Sequence, residues 1–359
     1  MIASKAKFKK VKTSYFKIKT QFDNVGDALI NRELIKLCAS MGGVVVDISS
    51  CPSSFQNWLG LNKIKNVISI FSAFSFWCRI VIDLLKKNEV YFFINPGGYI
   101  GEISRLKAYV RITKCLWLGF LRFCGVKICL VGVSYEKLGA NNLLSIKARA
   151  KILYFHGVRD SISEVLCSTE GIKTHRIEDL AFGCDYIPKI NTDNSSVLVS
   201  MRQDDDIDII VNSLFTNLNI EYQDIFLSSQ VKRDMATQED IKNKLSVDVS
   251  DLGMVDGVDS ALERYSNVKY VISNRLHVLL LAWFAGAIPI ALIASNKNQK
   301  IRGIFSDLEM NENIIEYNCS KEIISDTNLI NSLKFTPVNP KVKDTLINNF
   351  SRIFSSEEV

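Results

Sequence analysis

Asn274-Arg275-Leu276-His277 sets a permanent cation two residues before one of the chain's three histidines, in the turn between a buried strand and an apolar helix. The strand reads as residues 268–272, and the helix as 278–285, closed by Gly286. In open α/β sheets the carboxyl ends of strands meet helix N-termini, whose free N–H groups and positive dipole attract anions. Arg275 adds a planar fork for carboxylate or phosphate, and His277 a group that exchanges a proton near neutral pH. The chemistry this suggests is proton transfer on an anionic substrate. A bland reading stands beside it, with Arg275 paired to a carboxylate and His277 capping the helix.

Positioning such a loop takes alternating strands and helices, and the pattern is present from the start of the chain. Residues 15–21 read as a strand, 22–27 as a loop, 28–41 as a helix stopped by Gly42 and Gly43, and 44–48 as the next strand. Strand 90–94 runs into the turn Asn95-Pro96-Gly97-Gly98-Tyr99, followed by helix 102–123, strand 126–133, and helices 143–154 and 160–170. A polar segment at 184–196 interrupts the alternation. It restarts with strand 197–201, helix 205–218 and strand 224–228, then helix 255–266, the strand and helix above, strand 289–293 and helix 300–308.

The fold class is therefore α/β, and 359 residues predict two domains. The expected division is a basic arm at 1–12, a first domain at 13–190 and a second at 191–335. A final helix, 340–354, lies within residues 336–359 and is expected to cross back to the first domain.

Of the chain's 44 basic residues, seven lysines (5, 7, 9, 10, 12, 17 and 19) precede position 20, and the remainder nearly balance the 38 acidic ones. The excess of +6 thus sits in an N-terminal arm, read as a solvated tail or as an attraction to anionic lipid. No basic run interleaves with aromatics, which argues against nucleic-acid binding. Nine cysteines show no C-x-x-C and no histidine at metal spacing, so buried thiols in a reducing, cytoplasmic setting are expected, with no metal. The apolar stretches 67–85 and 115–133 are broken by Arg79, Arg122 and Lys127, so neither reads as a membrane span. Leu116, Trp117, Leu118, Phe120 and Leu121 make a bulky helix surface suited to a core, or to the membrane in an enzyme acting on lipid carriers.

Four loops follow strands in order: Asn24-Val25-Gly26-Asp27, Asn95-Pro96-Gly97-Gly98, Val158-Arg159-Asp160 and Asn274-Arg275-Leu276-His277. Together with Gly286-x-x-Pro289 and Lys300, this series resembles the polysaccharide pyruvyltransferase family over about residues 15–310, most strongly at 273–289. The resemblance implies a GT-B arrangement of two Rossmann-like domains facing a cleft. It also implies transfer of pyruvate from phosphoenolpyruvate, a co-substrate, onto two sugar hydroxyls as a cyclic ketal, with no cofactor. On that basis His277 is the expected general acid, and Arg275, Arg159 and Lys300 the donor clamp. Arg202, at the end of a strand, is a further ligand candidate.

Asp27 is either an N-cap or a base for the sugar hydroxyl. Gly97 and Gly98 permit a tight turn and close approach of the sugar, and Asn24 and Asn95 are candidates for hydroxyl contacts. His156 reads as a core histidine and His175 as a surface one. The resemblance is imperfect at Gly132-Val133-Ser134-Tyr135-Glu136, where a proline-containing loop is expected, and at Lys297, which competes with Lys300. The implied acceptor is a sugar of a capsule or exopolysaccharide precursor, lipid-linked or free, met at the inner face of the membrane. Two other functions stay open: a glycosyltransferase using a nucleotide sugar, and a non-catalytic sugar-binding or assembly subunit. The first lacks support in Glu309, Glu312, Glu316 and Glu322, which never fall eight positions apart.

Overall fold

Strand β1 (Lys12–Lys17) is buried at its four central residues, as a strand covered on both faces must be, with only the terminal lysines partly exposed. It pairs in parallel with β2 (Gly43–Asp47) on one side and β4 (Glu89–Ile94) on the other. The remaining strands of this sheet are β3 (Val67–Ile70), β5 (Gly97–Gly101), β6 (Lys127–Leu138), β7 (Phe155–Val158) and β8 (His175–Arg176). Their order is β3-β2-β1-β4-β6-β7-β8, with β5 alongside β6. The second sheet holds β9 (Val197–Ser200), β10 (Ile225–Ser229), β11 (Ser250–Met254), β12 (Tyr270–Ser273), β13 (Ile288–Ala294) and β14 (Ile314–Tyr317). Its order is β11-β10-β9-β12-β13-β14, parallel throughout. Each sheet reverses its winding between two central strands, β1 and β4 in the first and β9 and β12 in the second. Crevices at such points are where doubly wound sheets take ligands.

This computed structural model describes residues 10–186, 188–189, 196–204, 207–218, 225–245, 249–295, 297–318, 320, 322–323, 333 and 335–355. Most of the basic arm, the boundary expected at 190, the start of the helix expected from 205, and Cys319 lie outside them.

Helices α1 (Val25–Met41), α2 (Ser53–Leu59), α3 (Ala73–Leu85), α4 (Arg105–Phe123), α5 (Ala140–Ala150) and α6 (Ser161–Thr169) accompany the first sheet. The second carries α7 (Ile207–Leu218), α8 (Met235–Lys244), α9 (Gly257–Tyr265), α10 (Leu276–Ala285) and α11 (Gln299–Asp307). Among these α10 is apolar all round and buried at every residue but His277, so it is a central helix. Gly286 closes it in the left-handed conformation, φ +100°, which suits a residue without a Cβ.

Several elements depart from the sequence reading. The first strand runs from Lys12 to Lys17 and stops short of residue 21, because the polar run from Lys19 to Asn24 forms the loop that Asn24 closes as a helix cap. The apolar stretch from Val67 divides into β3 and α3, with the Ser72 hydroxyl accepting from the Ser75 N–H at 3.4 Å to start the helix. Gly97 and Gly98 open β5, paired with β6, where a turn was expected. Helix α8, of sequence MATQEDIKNK, has too little apolar character to announce itself, and β11 and β14 are edge strands.

The two sheets are joined across a cleft by helices. Arg32 on α1 lies 3.2 Å from Asp259 on α9, and Trp58 Nε1 donates to Asp256 Oδ1 at 2.8 Å. On the other side α11 meets α6, where a Cβ at Gly303 would lie 3.1 Å from that of Asp160. Helix α12 (Pro340–Ser351) then packs on the first sheet: Phe350 stacks on Phe93 at 6.0 Å, and Phe354 lies 4.5 Å from Tyr91. Lys12 Nζ donates to the Phe354 carbonyl at 2.6 Å.

Candidate active site

The loop between β12 and α10 is held by its own short polar residues. Asn274 is buried, and its amide makes a reciprocal pair with the backbone of Arg202: Oδ1 accepts from N–H at 2.7 Å and Nδ2 donates to C=O at 2.9 Å. This ties the exit of β12 to the exit of β9 across the crevice of the second sheet. The Arg275 N–H donates to Ser273 Oγ at 3.0 Å, so the backbone of the arginine is fixed before its side chain does anything.

His277 projects from the first turn of α10 against α1 of the opposite half. A Cβ at Gly26 would fall 2.5 Å from His277 Nδ1, so only glycine admits the ring there. The other ring nitrogen, Nε2, lies 3.4 Å from Arg159 Nη1 and 3.9 Å from Asp179 Oδ2. Arg159 is 4% exposed and pinned at two points: Nη1 donates to Asp179 Oδ2 at 2.7 Å and Nε to Ser134 Oγ at 2.7 Å. Ser134 in turn donates to Asp160 Oδ2 at 2.5 Å, and Asp160 caps α6. Burial opposes charge on Asp179, but the Arg159 guanidinium, His277 and the Ala181 N–H together hold its carboxyl well below the usual range.

Arg275 is not a free clamp. Its Nη2 donates to Asp234 Oδ1 at 2.6 Å and its Nε lies 2.5 Å from Oδ2, with Asp234 2% exposed. The bland pairing and the functional placement therefore hold together, because the same guanidinium lines the cavity described below. Lys300 is half-buried by surface area yet closely surrounded by protein. That burial, with Arg159, Arg202 and Arg275 near it and only partly offset by Glu136, pushes its ammonium down to about 8. Lys297, the competing lysine, instead pairs with Asp204 at 2.8 Å. Among the described residues no ion pair engages the Arg202 guanidinium. Ser134 and Glu136, in the segment that departs from the expected loop, thus lie in β6 and act on Arg159 and Lys300.

Asp27 is not the N-cap. Asn24 is, its Oδ1 accepting from the Gly26 N–H at 3.0 Å, while Asp27 sits in the first helical turn. The Asp27 carboxylate accepts from Gln21 N–H at 3.2 Å, from Asn24 Nδ2 at 3.1 Å, and from Thr20 Oγ1. Asn95 stands apart: its Nδ2 donates to the Lys19 carbonyl at 2.6 Å, and it lines a neighbouring cavity. Gly97 and Gly98 present open space where a Cβ would stand, leaving room for a ligand.

His156 is a core histidine, 2.7 Å from the Tyr135 hydroxyl, with burial pushing it down to about 3. His175, expected at the surface, is half-buried because its ring stacks on Phe155 at 4.7 Å.

Asn24, Asp27, Gly97, Gly98, Arg159, Arg202, Arg275, His277 and Lys300 all line one cavity of about 110 Å³ in the cleft. Sequence reasoning missed Gln230, which also lines it, and the carboxylates Asp179 and Asp234 behind its arginines. Neither carboxylate belongs to a recognisable motif: Asp179 follows another acid, Glu178, and Asp234 lies in a polar run between Arg233 and the Gln238-Glu239-Asp240 triplet, so nothing local marks either as a partner. Four cations face one lining acid, so the cavity suits a polyanion. A histidine beside them can deliver a proton to it.

Solved structures place the fold. Over 96% of this chain and 97% of theirs, S. aureus MnaA in a co-structure with UDP matches at TM-score 0.55 and 14% identity. The UDP-GlcNAc 2-epimerase of Methanocaldococcus jannaschii, in complex with UDP-GlcNAc and UDP, matches over 95% of this chain and 99% of its own at TM-score 0.54 and 14% identity. The UDP-N-acetylglucosamine 2-epimerase of Rickettsia bellii covers 97% of both chains at TM-score 0.51 and 13% identity. At such identities the likeness is one of fold alone, the GT-B-type pairing of Rossmann-like halves. A search of curated protein sequences found no match. The sequence model described as Polysaccharide pyruvyl transferase matches residues 24–287, which takes in the loops bearing Asn24, Gly97, Arg159 and His277. With most of its length matched and those loops gathered at one cleft, the chain belongs to the polysaccharide pyruvyl transferase family.

Proposed function

We propose that the chain moves pyruvate from phosphoenolpyruvate onto two hydroxyls of a sugar in a surface-polysaccharide precursor, closing a cyclic ketal. The observation that carries this reading is the convergence of Arg159, Arg202, Arg275 and Lys300 on the cavity that holds His277. Phosphoenolpyruvate carries a carboxylate and a phosphate on one small carbon frame, and several cations in fixed geometry both neutralise and orient it. His277 gives a proton to the C3 methylene, and C2 gains oxocarbenium character beside the carboxylate. A sugar hydroxyl adds to C2 and passes its proton to Asp27. The C2–O bond to phosphate then breaks with its electron pair, the oxocarbenium centre reforms, and the second hydroxyl adds to close the ring. The proton released in that closure restores the imidazolium, and the one on Asp27 leaves with phosphate.

Asn24, Gly97 and Gly98 contact the acceptor on the side of the first sheet. The reaction belongs in the cytoplasm, which the free thiols of the described cysteines suit, on an acceptor that is lipid-linked or free. Titrating the melting temperature with phosphoenolpyruvate and with a panel of UDP-sugars tests the donor. A rise with phosphoenolpyruvate that Arg202→Ala and Lys300→Met abolish supports the reading. A rise with UDP-sugars alone transfers it to the nucleotide-sugar glycosyltransferase.

A further inference from the structure

Helices α3 and α4 present a surface that the fold does not bury. On α3, Phe74 is 78% exposed and Leu85 78%, with Val81 and Ile82 between them on the same helical stripe. On α4, Leu106, Tyr109, Leu116, Trp117, Phe120 and Phe123 recur at helical spacing, and Leu116 is 72% and Phe123 90% exposed. The stripes adjoin, since Trp77 and Trp117 meet edge-on at 5.5 Å. An apolar face this long on a water-exposed helix pair marks a contact surface.

Its charge says with what. Helix α4 carries Arg105, Lys107, Arg111, Lys114 and Arg122 and no acid, and the one acid of α3, Asp83, is buried against Tyr15. Exposed Arg79, Lys86 and Lys87 continue the positive fringe. Apolar stripes bordered by cations are what an interfacial helix needs to sink its side chains among acyl chains while its charges meet anionic headgroups. Among the described residues no helix is long and apolar enough to cross a membrane, so the contact is one of lying on the surface.

A second cavity, of about 540 Å³, lies behind this face. Trp77, Trp117, Leu118 and Lys114 line it from the helices, and Gly97 and Gly98 line both it and the cleft of His277. The path from the apolar face to the candidate active site is therefore short.

We propose that the α3–α4 face docks this protein on an anionic phospholipid bilayer, with the second cavity between the bilayer and the cleft. The inference stands on the surface itself and is independent of the pyruvyl donor. The test is flotation of the full-length chain with phosphatidylcholine vesicles and with vesicles that also contain phosphatidylglycerol, at low salt. The expected result is binding to the anionic vesicles only. It should fall at least about fivefold in Phe74→Ser/Leu116→Ser/Phe123→Ser and in Arg105→Glu/Lys107→Glu, while deletion of residues 1–9 preserves most of it. Because these side chains are exposed, unchanged melting temperatures separate lost docking from lost folding. The charge-reversal variant keeps the test open should the apolar one misfold. Failure of the unaltered chain to float, equal binding by both variants, or loss only on deleting residues 1–9 would each overturn the proposal. So would a dimer that the serine substitutions dissociate with no vesicle binding at all, since the face would then cover a second copy.

Discussion

The imidazole of His277 occupies the space where Gly26 lacks a side chain, so the candidate proton donor on one half of the molecule is seated by a glycine on the other. Gly26→Ala should by itself favour α1 by about 1 kcal/mol. The clash with the ring should reverse that sign and cost about 1–3 kcal/mol. Displacing the ring should also lower turnover by about 10²-fold. In the Gly26→Ala/His277→Ala double variant the stability should return above that of Gly26→Ala, which thermal melts would show.

His277→Ala alone should lower kcat by about 10² to 10⁴ while leaving donor affinity within a few-fold, the pattern of a proton donor. Steady-state kinetics alongside donor titration separate the two. An equal loss of both would make the ring a clamp.

Arg159 and Asp179 form a buried pair that keeps the carboxylate next to the histidine. Asp179→Asn should destabilise the fold by about 3–5 kcal/mol, because the arginine is left buried and uncompensated. The folded carboxyl titrates below its unfolded value of about 3.9, so its contribution is complete above that pH and is lost as pH falls beneath it. Unfolding curves of the two proteins should therefore converge as the medium is acidified below about pH 4.

Lys300 titrates at about 8, so raising pH through that value should discharge it and weaken the binding of an anionic donor. Folding lowers its pKa from an unfolded value of about 10.4, which makes the charged form a cost to the fold that is relieved as pH rises from about 8. Affinity and stability thus move in opposite directions over the same range. Calorimetric titration with phosphoenolpyruvate should show the affinity decline, and Lys300→Met should flatten it.

Arg275→Ala should lose stability as well as donor binding, by about 3 kcal/mol or more, because Asp234 would remain buried without its cation. Asp234→Asn keeps the arginine and should lose less binding. Melting curves run with and without donor distinguish the contributions.

How much of this could be read from the chain depended on distance along it. The strand and apolar helix around Arg275 and His277 are local and periodic, and the residues that line the cavity mostly sit directly after strands. What was hidden were the partners. Asp234 reaches Arg275 from 41 positions away and Asp179 reaches Arg159 from 20, with no spacing rule to connect them. The cap of α1 was misplaced for a different reason: Asn24 and Asp27 are both good capping residues, and only the Thr20–Asn24 loop, folded onto the Asp27 carboxylate, decides between them. Helix α8 carries Asp234 at its N-terminal boundary and was invisible because its own sequence is polar on nearly every side.

Phe350, Ile353 and Phe354 fill a surface on the first sheet beside Tyr91 and Phe93, although the whole second sheet is translated between them. The half that is synthesised first is therefore the half that is finished last. While the second sheet is being made, Tyr91 and Phe93 keep Tyr154 and Phe16 as neighbours but lack the rings of Phe350 and Phe354, so one side of this aromatic cluster waits for the last residues of the fold.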